Sequence, residues 1–242
     1  MRHWQTRRGL TIRRILSGRN NVYLVSSGDQ ALLVDTATAN RWTSLKKQLN
    51  QLEITPENLS GLVLTHAHFD HAANAARVQA QYQVPVIIHA SEAELLSRGE
   101  NTTIRGAVWY TRLIVRAAGE KGLARLKYMP ARADIRVDGR YDLNALGFDA
   151  YLLETPGHSP GSISCIVDNQ FALVGDAMVG ARCGSILPVY TADIPQLVRS
   201  WQVLLDTGCE WFLPGHRPPH QRAVIEKEIQ KYHARLKTGK FQ

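Results

Sequence analysis

The chain has 242 residues, of which 44% are hydrophobic, enough to bury the core of one α/β domain but too few to add a second catalytic domain. Lys and Arg outnumber Asp and Glu by 29 to 21, an excess that suits an anionic substrate, a nucleic acid or simple solubility and does not choose among them. Cys165, Cys183 and Cys209 are widely separated and share no CxxC spacing, which excludes a disulfide framework and a thiolate zinc site.

The first part of the chain predicts an antiparallel meander that leads into a helix. Its short β-type segments, separated by turn-forming Gly, Asn and Asp residues, cover 11–18, 21–27 and 30–36. Apolar residues on one face then predict a helix over about 41–52. A buried strand over 61–65 runs directly into a histidine-rich turn and an alanine-rich helix that reaches Tyr82, and 84–90 is a further strand.

The second part begins with a helical insertion over about 91–130 and then returns to strands. The predicted strands of this part cover 148–156, 162–168 and 170–176. Asp168 and Asn169 predict a hairpin turn between the last two. A helix near 196–205, a short strand over 210–214 and a basic helix over about 219–237 complete the chain. We therefore expect residues 1–242 to form one domain of α/β class.

Four potential metal ligands lie within six residues, where the predicted strand at 61–65 meets the following helix: they are His66, His68, Asp70 and His71. Imidazole and carboxylate ligands together suit zinc, iron or manganese. Three more such residues each follow a short strand and a glycine: His158, Asp176 and His216. A glycine there lets the backbone turn tightly and approach an ion closely. Any one of these histidines alone has a structural explanation, but the set as a whole predicts a metal centre.

The motifs resemble those of the metallo-β-lactamase superfamily. The similarity is carried by HxHxDH at 66–71, TPGHSPG at 155–161, Gly-Asp at 175–176 and Pro-Gly-His at 214–216. The resemblance implies an αββα sandwich of two mixed β-sheets flanked by helices, with metals at one edge. It also implies that His66, His68 and His158 hold one metal, that Asp70, His71 and His216 hold a second, and that Asp176 bridges the two.

Within this superfamily the residue types favour the glyoxalase II-like and lactonase-like hydrolases. A zinc β-lactamase carries a cysteine or serine at the position of Asp176, and Cys183 lies seven residues too far along to replace it. The resemblance implies hydrolysis of an ester, thioester or lactone by a hydroxide shared between two divalent ions, zinc first, with iron or manganese as alternatives. Asp70 is expected to orient that hydroxide and carry its proton, and Tyr190 is a candidate donor to the oxyanion.

Other functions stay open on the sequence alone. The basic charge leaves room for a two-metal phosphodiesterase or nuclease, although no further histidine motif or clamp domain supports nucleic-acid binding. The same ligands also suit a di-iron redox protein, or a metal-occupied sensor without turnover. The basic N-terminal segment has no signal-peptide core and no segment has the length of a membrane span, so we expect a cytoplasmic protein that acts on a small molecule.

The insertion has three interpretations: a substrate lid, a homodimer contact or part of the core. Its apolar cluster consists of Trp109, Tyr110, Leu113 and Ile114, and these side chains are candidates for an acyl pocket. Its basic residues are Arg105, Arg112, Arg116, Arg125 and Lys127, which are candidates for binding an anionic group.

Overall fold

The computed structural model describes residues 2–102, 105–107, 109–118, 126–180 and 185–237. The first sheet holds seven strands in sequential order: β1 (Arg2–Gln5), β2 (Thr11–Leu16), β3 (Val22–Ser27), β4 (Gln30–Val34), β5 (Leu59–Val63), β6 (Val86–His89) and β7 (Ile135–Val137). Neighbours from β1 to β4 are antiparallel and those from β4 to β7 are parallel, so this sheet is mixed.

The second sheet holds six strands. Their spatial order is β13 (His220–Gln221), β12 (Trp211–Pro214), β11 (Phe171–Gly175), β10 (Ile163–Val167), β9 (Ala150–Glu154) and β8 (Tyr141–Asp142). Strands β11 and β12 are parallel and the other neighbours are antiparallel, so this sheet is mixed as well.

Alternation along the strands builds two apolar layers on the first sheet. Leu33 and Leu62 face the helices, whereas Leu32 and Val63, one residue away, face the second sheet. Successive side chains of a strand point to opposite faces, so an uninterrupted apolar run is buried on both sides. The sheets therefore pack against each other and leave their outer faces for helices.

Helices cover both outer faces. Helices α1 (Trp42–Gln51) and α3 (Ala75–Tyr82) pack on the first sheet, with Leu45 and Leu49 of α1 fully buried one turn apart. Helices α6 (Ile194–Asp206) and α7 (Arg222–Lys237) pack on the second sheet. The order helix, sheet, sheet, helix confirms the predicted αββα sandwich.

Short elements differ from the sequence prediction. Strands β1, β7, β8 and β13 were not predicted, because two to four residues are too few to show a period. The last helix begins at Arg222 rather than near Pro219, since His220 and Gln221 pair with β12.

The insertion is less helical than predicted. It contains α4 (Ala93–Arg98) and α5 (Trp109–Ala118), and the chain leaves the helix after α4 because Gly99 adopts a left-handed φ of 63°. Residues 126–130 are also not helical. Arg125 of the insertion and Cys183 lie outside the described residues.

The two described cysteines are buried free thiols, as the sequence indicated. Burial raises the pKa of Cys165 to about 12 and that of Cys209 to about 11, so both stay protonated and unreactive at neutral pH. In the part of the chain that the structure describes, no helix is long and apolar enough to cross a membrane.

Candidate metal centre

The seven predicted ligands meet at one end of the two sheets. His66 and His68 follow β5, and Asp70 and His71 lie in the short helix α2 (Phe69–Ala72). The remaining three follow strands of the second sheet: His158 after β9, Asp176 after β11 and His216 after β12. Residues far apart in the chain therefore converge because strand ends from both sheets share one edge.

Three histidines form a first buried pocket. The Nε2 atom of His66 lies 2.9 Å from Nδ1 of His68, and Nε2 of His158 lies 3.1 Å from the same atom. All three side chains are buried, and one nitrogen of each lies within 4.8 Å of the others. This spacing lets three nitrogen ligands approach a single ion.

Two histidines and an aspartate form a second pocket beside the first. The Nε2 atoms of His71 and His216 are 3.3 Å apart, and Nε2 of His216 lies 3.2 Å from Oδ2 of Asp70. The ligand atoms of the three residues again lie within 4.8 Å of one another. The donor set changes from three nitrogens in the first pocket to two nitrogens and an oxygen here.

Asp176 lies between the two pockets. Its Oδ1 atom is 3.2 Å from Nε2 of His71 and 3.4 Å from Nε2 of His216, whereas its Oδ2 atom is 3.8 Å from Nε2 of His158. Oδ1 is buried and has no hydrogen-bond partner among the described residues. A buried carboxylate oxygen without a donor is costly, so this atom fits a cation. The two oxygens face different pockets, which suits a bridging ligand.

Hydrogen bonds on the outer side fix the orientation of four imidazole rings. The outer Nδ1 atoms each meet an oxygen: His66 meets Thr65 Oγ1 at 3.1 Å, His71 meets Asp35 Oδ2 at 2.8 Å, His158 meets the Tyr190 carbonyl at 2.9 Å, and His216 meets the Arg19 carbonyl. Carbonyl and carboxylate oxygens accept the Nδ1 proton, so Nε2 is the nitrogen that an ion would bind, in place of any proton there. The rings are therefore arranged as ligands before any ion enters.

Asp35 is an orienting residue that the sequence analysis missed. It directly follows β4 and lies in the left-handed region, with a φ of 63°, and its side chain is buried. Its Oδ1 atom accepts a hydrogen bond from the Thr65 amide at 2.9 Å, and Oδ2 accepts one from His71 at 2.8 Å. One signal was available, since Asp35 is an acid at the end of an apolar strand, as Asp176 is.

Glu92 is a second missed residue, and it joins the loops that carry His66 and His158. Its buried carboxylate accepts hydrogen bonds from the Ala67 amide, from Ser159 Oγ and from the Gly161 amide at 3.1 Å. The loop that carries His66 is thus held against the loop that carries His158. Nothing in the local sequence indicated this, because a glutamate near the start of a helix is ordinarily exposed.

Of the three glycines that directly precede His158, Asp176 and His216, two show why no side chain is tolerated at these positions. Gly175 has a φ of 49°, and a Cβ there would lie 2.5 Å from Oγ1 of Thr65. A Cβ at Gly215 would lie 2.8 Å from Oδ1 of Asp176 and closer still to the ring of His71. Both the turn and the close approach that the sequence predicted are present.

The two pockets differ in charge. Burial lowers the pKa of His68 to about 3 and that of His66 well below its ordinary value, so both rings are neutral ligands. Burial also lowers the pKa of His216, but the carboxylates of Asp176 and Asp70 outweigh that effect and raise it to about 10. Asp70 itself is held at a pKa of about 2, because the adjacent histidines outweigh burial. The second pocket is therefore acidic and attracts positive charge.

A cleft of about 620 Å³ opens above the ligands. The mainly apolar part of its lining, which we call the apolar wall, consists of Phe69, Leu126, Val179, Pro188, Val189 and Tyr190, and Arg19 and Arg217 also line the cleft. The insertion contributes to this wall through backbone hydrogen bonds from Ala107 to Val189, 2.9 Å, and from Thr191 to Arg105, 2.8 Å. The cleft thus offers apolar surface beside a polar floor.

The predicted apolar cluster of the insertion does not line this cleft. Trp109 is 68% exposed, and Leu113 and Ile114 are also exposed, so the prediction of an acyl pocket from these side chains is wrong, as is that of a core position. Leu126 is an apolar residue of the insertion that does line the cleft. The described basic residues of the insertion are exposed, and Lys127 pairs with Glu100 at 2.9 Å.

Two other histidines have structural explanations. The Ser91 amide donates to Nδ1 of His89 at 3.1 Å, so the ring carries its proton on Nε2 and donates it to Glu154 at 2.8 Å. His220, predicted at a helix start, lies instead in β13, and burial lowers its pKa. Neither residue belongs to the seven-residue cluster.

Comparisons with known proteins agree with this geometry. Residues 17–216 match the profile of the metallo-beta-lactamase superfamily. The chain is 29% identical over 166 residues to the probable metallo-hydrolase YqgX of Bacillus subtilis (strain 168), covering 68% of each protein. It is 30% identical over 219 residues to the acyl-coenzyme A thioesterase MBLAC2 of Bos taurus, covering 82% of this chain and 73% of that protein. The structure aligns with Rm3 metallo-beta-lactamase at a TM-score of 0.65 and 18% identity, over 96% of this chain and 92% of that one, which shows a shared fold.

Proposed function

Because the chain belongs to the metallo-beta-lactamase superfamily and is a metal-dependent hydrolase, we propose that it cleaves the acyl bond of an ester, thioester or lactone at the seven-residue centre. The observation that carries the proposal is the position of Asp176, whose two oxygens face the two pockets. That arrangement suits a pair of divalent ions, and zinc is the first choice for nitrogen-rich ligands, with iron or manganese compatible with the same set.

The proposed ligands divide as the two pockets do. His66, His68 and His158 would hold the first ion, Asp70, His71 and His216 would hold the second, and Asp176 would serve both. When bound, such ions supply Lewis acidity and an activated water at neutral pH. Hydrolysis then adds water across the acyl bond and releases a carboxylic acid with a thiol or an alcohol.

Asp70 is proposed to orient the water and to accept its proton. Its Oδ2 atom faces His216 and also accepts a hydrogen bond from Asn20 Nδ2 at 3.2 Å, which fixes the carboxylate at the floor of the cleft. With a pKa of about 2 it is ionised at neutral pH, as a carboxylate that orients a water must be. Asn20 thereby acts as a positioning residue for Asp70.

Tyr190 is proposed to donate a hydrogen bond from its phenol to the oxyanion, since the residue lies in the cleft wall and its carbonyl holds His158. We expect Tyr190→Phe to lower kcat by about 10²-fold, the typical effect of losing one oxyanion donor. Metal content stays unchanged because the carbonyl is retained. Tyr151→Phe, whose hydroxyl bonds Asn169 on the surface, is the matched control. An unchanged kcat in Tyr190→Phe would remove this residue from the mechanism.

The thioester is the substrate class that we favour. The apolar wall suits an acyl chain, and one relative is named as an acyl-coenzyme A thioesterase. A β-lactam is disfavoured because Asp176 stands where zinc β-lactamases carry cysteine or serine. Dimer formation and the absence of nucleic-acid binding stay predictions.

The test is a hydrolysis panel of lactones, acyl thioesters, β-lactams and phosphodiesters, run on protein loaded with zinc, manganese or iron. We expect cleavage of acyl thioesters, esters or lactones that depends on added metal and stops with a chelator. Cleavage of phosphodiesters alone would replace the proposal with a two-metal phosphodiesterase, and visible absorption from bound iron with no hydrolysis would replace it with a redox protein.

A further inference from the structure

A second cleft, of about 550 Å³, lies outside the metal centre and is strongly basic. We call it the basic cleft, and its polar lining consists of Arg2, Arg14, Arg41, Lys47, Ser17, Ser44 and Gln48. The other lining residues are Ile15 and Leu16, so no acidic side chain contributes to it. Four cations and two hydroxyl groups around one concave space are the chemistry that recognises phosphate oxygens.

The cations of the basic cleft are not neutralised by acids. None of the four forms an ion pair with an aspartate or glutamate in the described residues, and Arg2 makes only a cation–π contact with Trp4, at 5.3 Å. Nearby arginines outside the cleft behave differently, because Arg7 pairs with Glu210 and Arg8 pairs with Asp149. The four cations of the cleft therefore differ from Arg7 and Arg8 in keeping their charge available to an anion.

The fold places these like charges close together at a cost in stability. Arg2 and Arg14 are direct cross-strand partners of β1 and β2, an arrangement that destabilises a sheet when both residues are cations. Arg41, Ser44 and Lys47 follow one another at intervals of three residues along the start of α1 and line the opposite side. A bound anion would remove this repulsion.

The basic cleft adjoins the metal cleft. Ser17 lines the first and Gly18 and Arg19 line the second, so consecutive residues of one loop contribute to both. The Arg19 carbonyl also holds the ring of His216. An extended ligand that follows the chain from Ser17 to Arg19 would pass from one cleft to the other.

We propose that the basic cleft binds phosphate groups, and that these belong to the phosphorylated carrier of the substrate whose acyl bond is cleaved in the metal cleft. The second half of this statement rests on the proposed function, whereas the first half does not. The substrate class is then an acyl thioester or ester of a phosphate-bearing thiol or alcohol, with the acyl chain against the apolar wall.

The test is calorimetric titration of the metal-loaded protein with two probes, inorganic pyrophosphate and coenzyme A. In the variant Arg14→Gln/Lys47→Gln we expect both affinities to fall by about tenfold or more, because two charged hydrogen-bond donors are lost. The matched control is Arg13→Gln/Lys46→Gln, which removes the same charge from neighbouring positions outside the cleft. We expect the control to stay within about twofold of the wild type.

Each alternative result contradicts a stated part of the proposal. Equal losses of affinity in the two double variants would show that net charge alone attracts the probes. Unchanged affinity in both variants would place the probes at the metals. Either result would overturn the phosphate site. Loss for pyrophosphate without loss for coenzyme A would show a site for free phosphate and overturn the substrate assignment. Binding requires no turnover, so a protein that binds both probes here but fails the hydrolysis panel contradicts the proposed function and not the site.

Discussion

The variant Asp176→Asn is expected to lose about three orders of magnitude in kcat and to retain less than its full complement of metal. Asparagine has one acceptor oxygen, so it can serve either the pocket of His71 and His216 or that of His158, and its amino group turns toward the other as a donor. Losing a shared ligand and its charge removes several kcal/mol of transition-state stabilisation, which corresponds to a factor of about 10³. The measurements are kcat on the best substrate of the panel and metal content by emission spectroscopy.

Asp206→Asn is the matched control for this variant. Asp206 lies at the end of α6 and is exposed, and within the described part of the chain its carboxylate accepts a hydrogen bond only from Gln202, one turn earlier. We expect its kcat and metal content to equal those of the wild type. Wild-type turnover in Asp176→Asn with two ions still bound would contradict a bridging role.

The candidate site was largely predictable because its ligands stand in local motifs. Each follows a strand, and the strand ends of a sandwich share an edge, so a pattern read along the chain translates directly into proximity. The same reasoning could not find Asp35 or Glu92. Their partners lie 30 or more residues away for Asp35 and 25 to 69 residues away for Glu92, and only the folded sheets bring them together.

The elements that the sequence missed are those whose formation depends on pairing rather than on pattern. Strand β1 is RHWQ, with no apolar alternation, and exists because it pairs with β2. Strand β13 has two residues held by β12. In the insertion, the sequence shows the apolar face of α5. Helical periodicity identifies the residues that share a face but not what packs against them, and Trp109 is exposed.

Asp35→Asn is expected to weaken metal binding by about 10- to 100-fold without unfolding the protein, the usual effect of losing an outer partner of a ligating histidine. If the amide oxygen stays on the Thr65 amide, the amino group faces Nδ1 of His71, and the ring must accept there and carry its proton on Nε2. That proton then occupies the lone pair that an ion needs. If the amide is flipped, its amino group opposes the Thr65 N–H in a buried position, at a cost of about 1–3 kcal/mol.

Asp29→Asn is a close control for Asp35→Asn, because Asp29 directly precedes β4 and Asp35 directly follows it. Asp29 is exposed, so Asp29→Asn removes the same charge without affecting the contacts of His71. Metal affinity, measured by competition with a chromophoric chelator, should fall in Asp35→Asn but not in Asp29→Asn. It should fall at least as far in Asp35→Ala, because that substitution abolishes both hydrogen bonds. Equal affinities in Asp35→Asn and Asp29→Asn would mean that the tautomer of His71 is set by its position in α2 alone. The carboxylate of Asp35 would then serve the fold and not the metal centre.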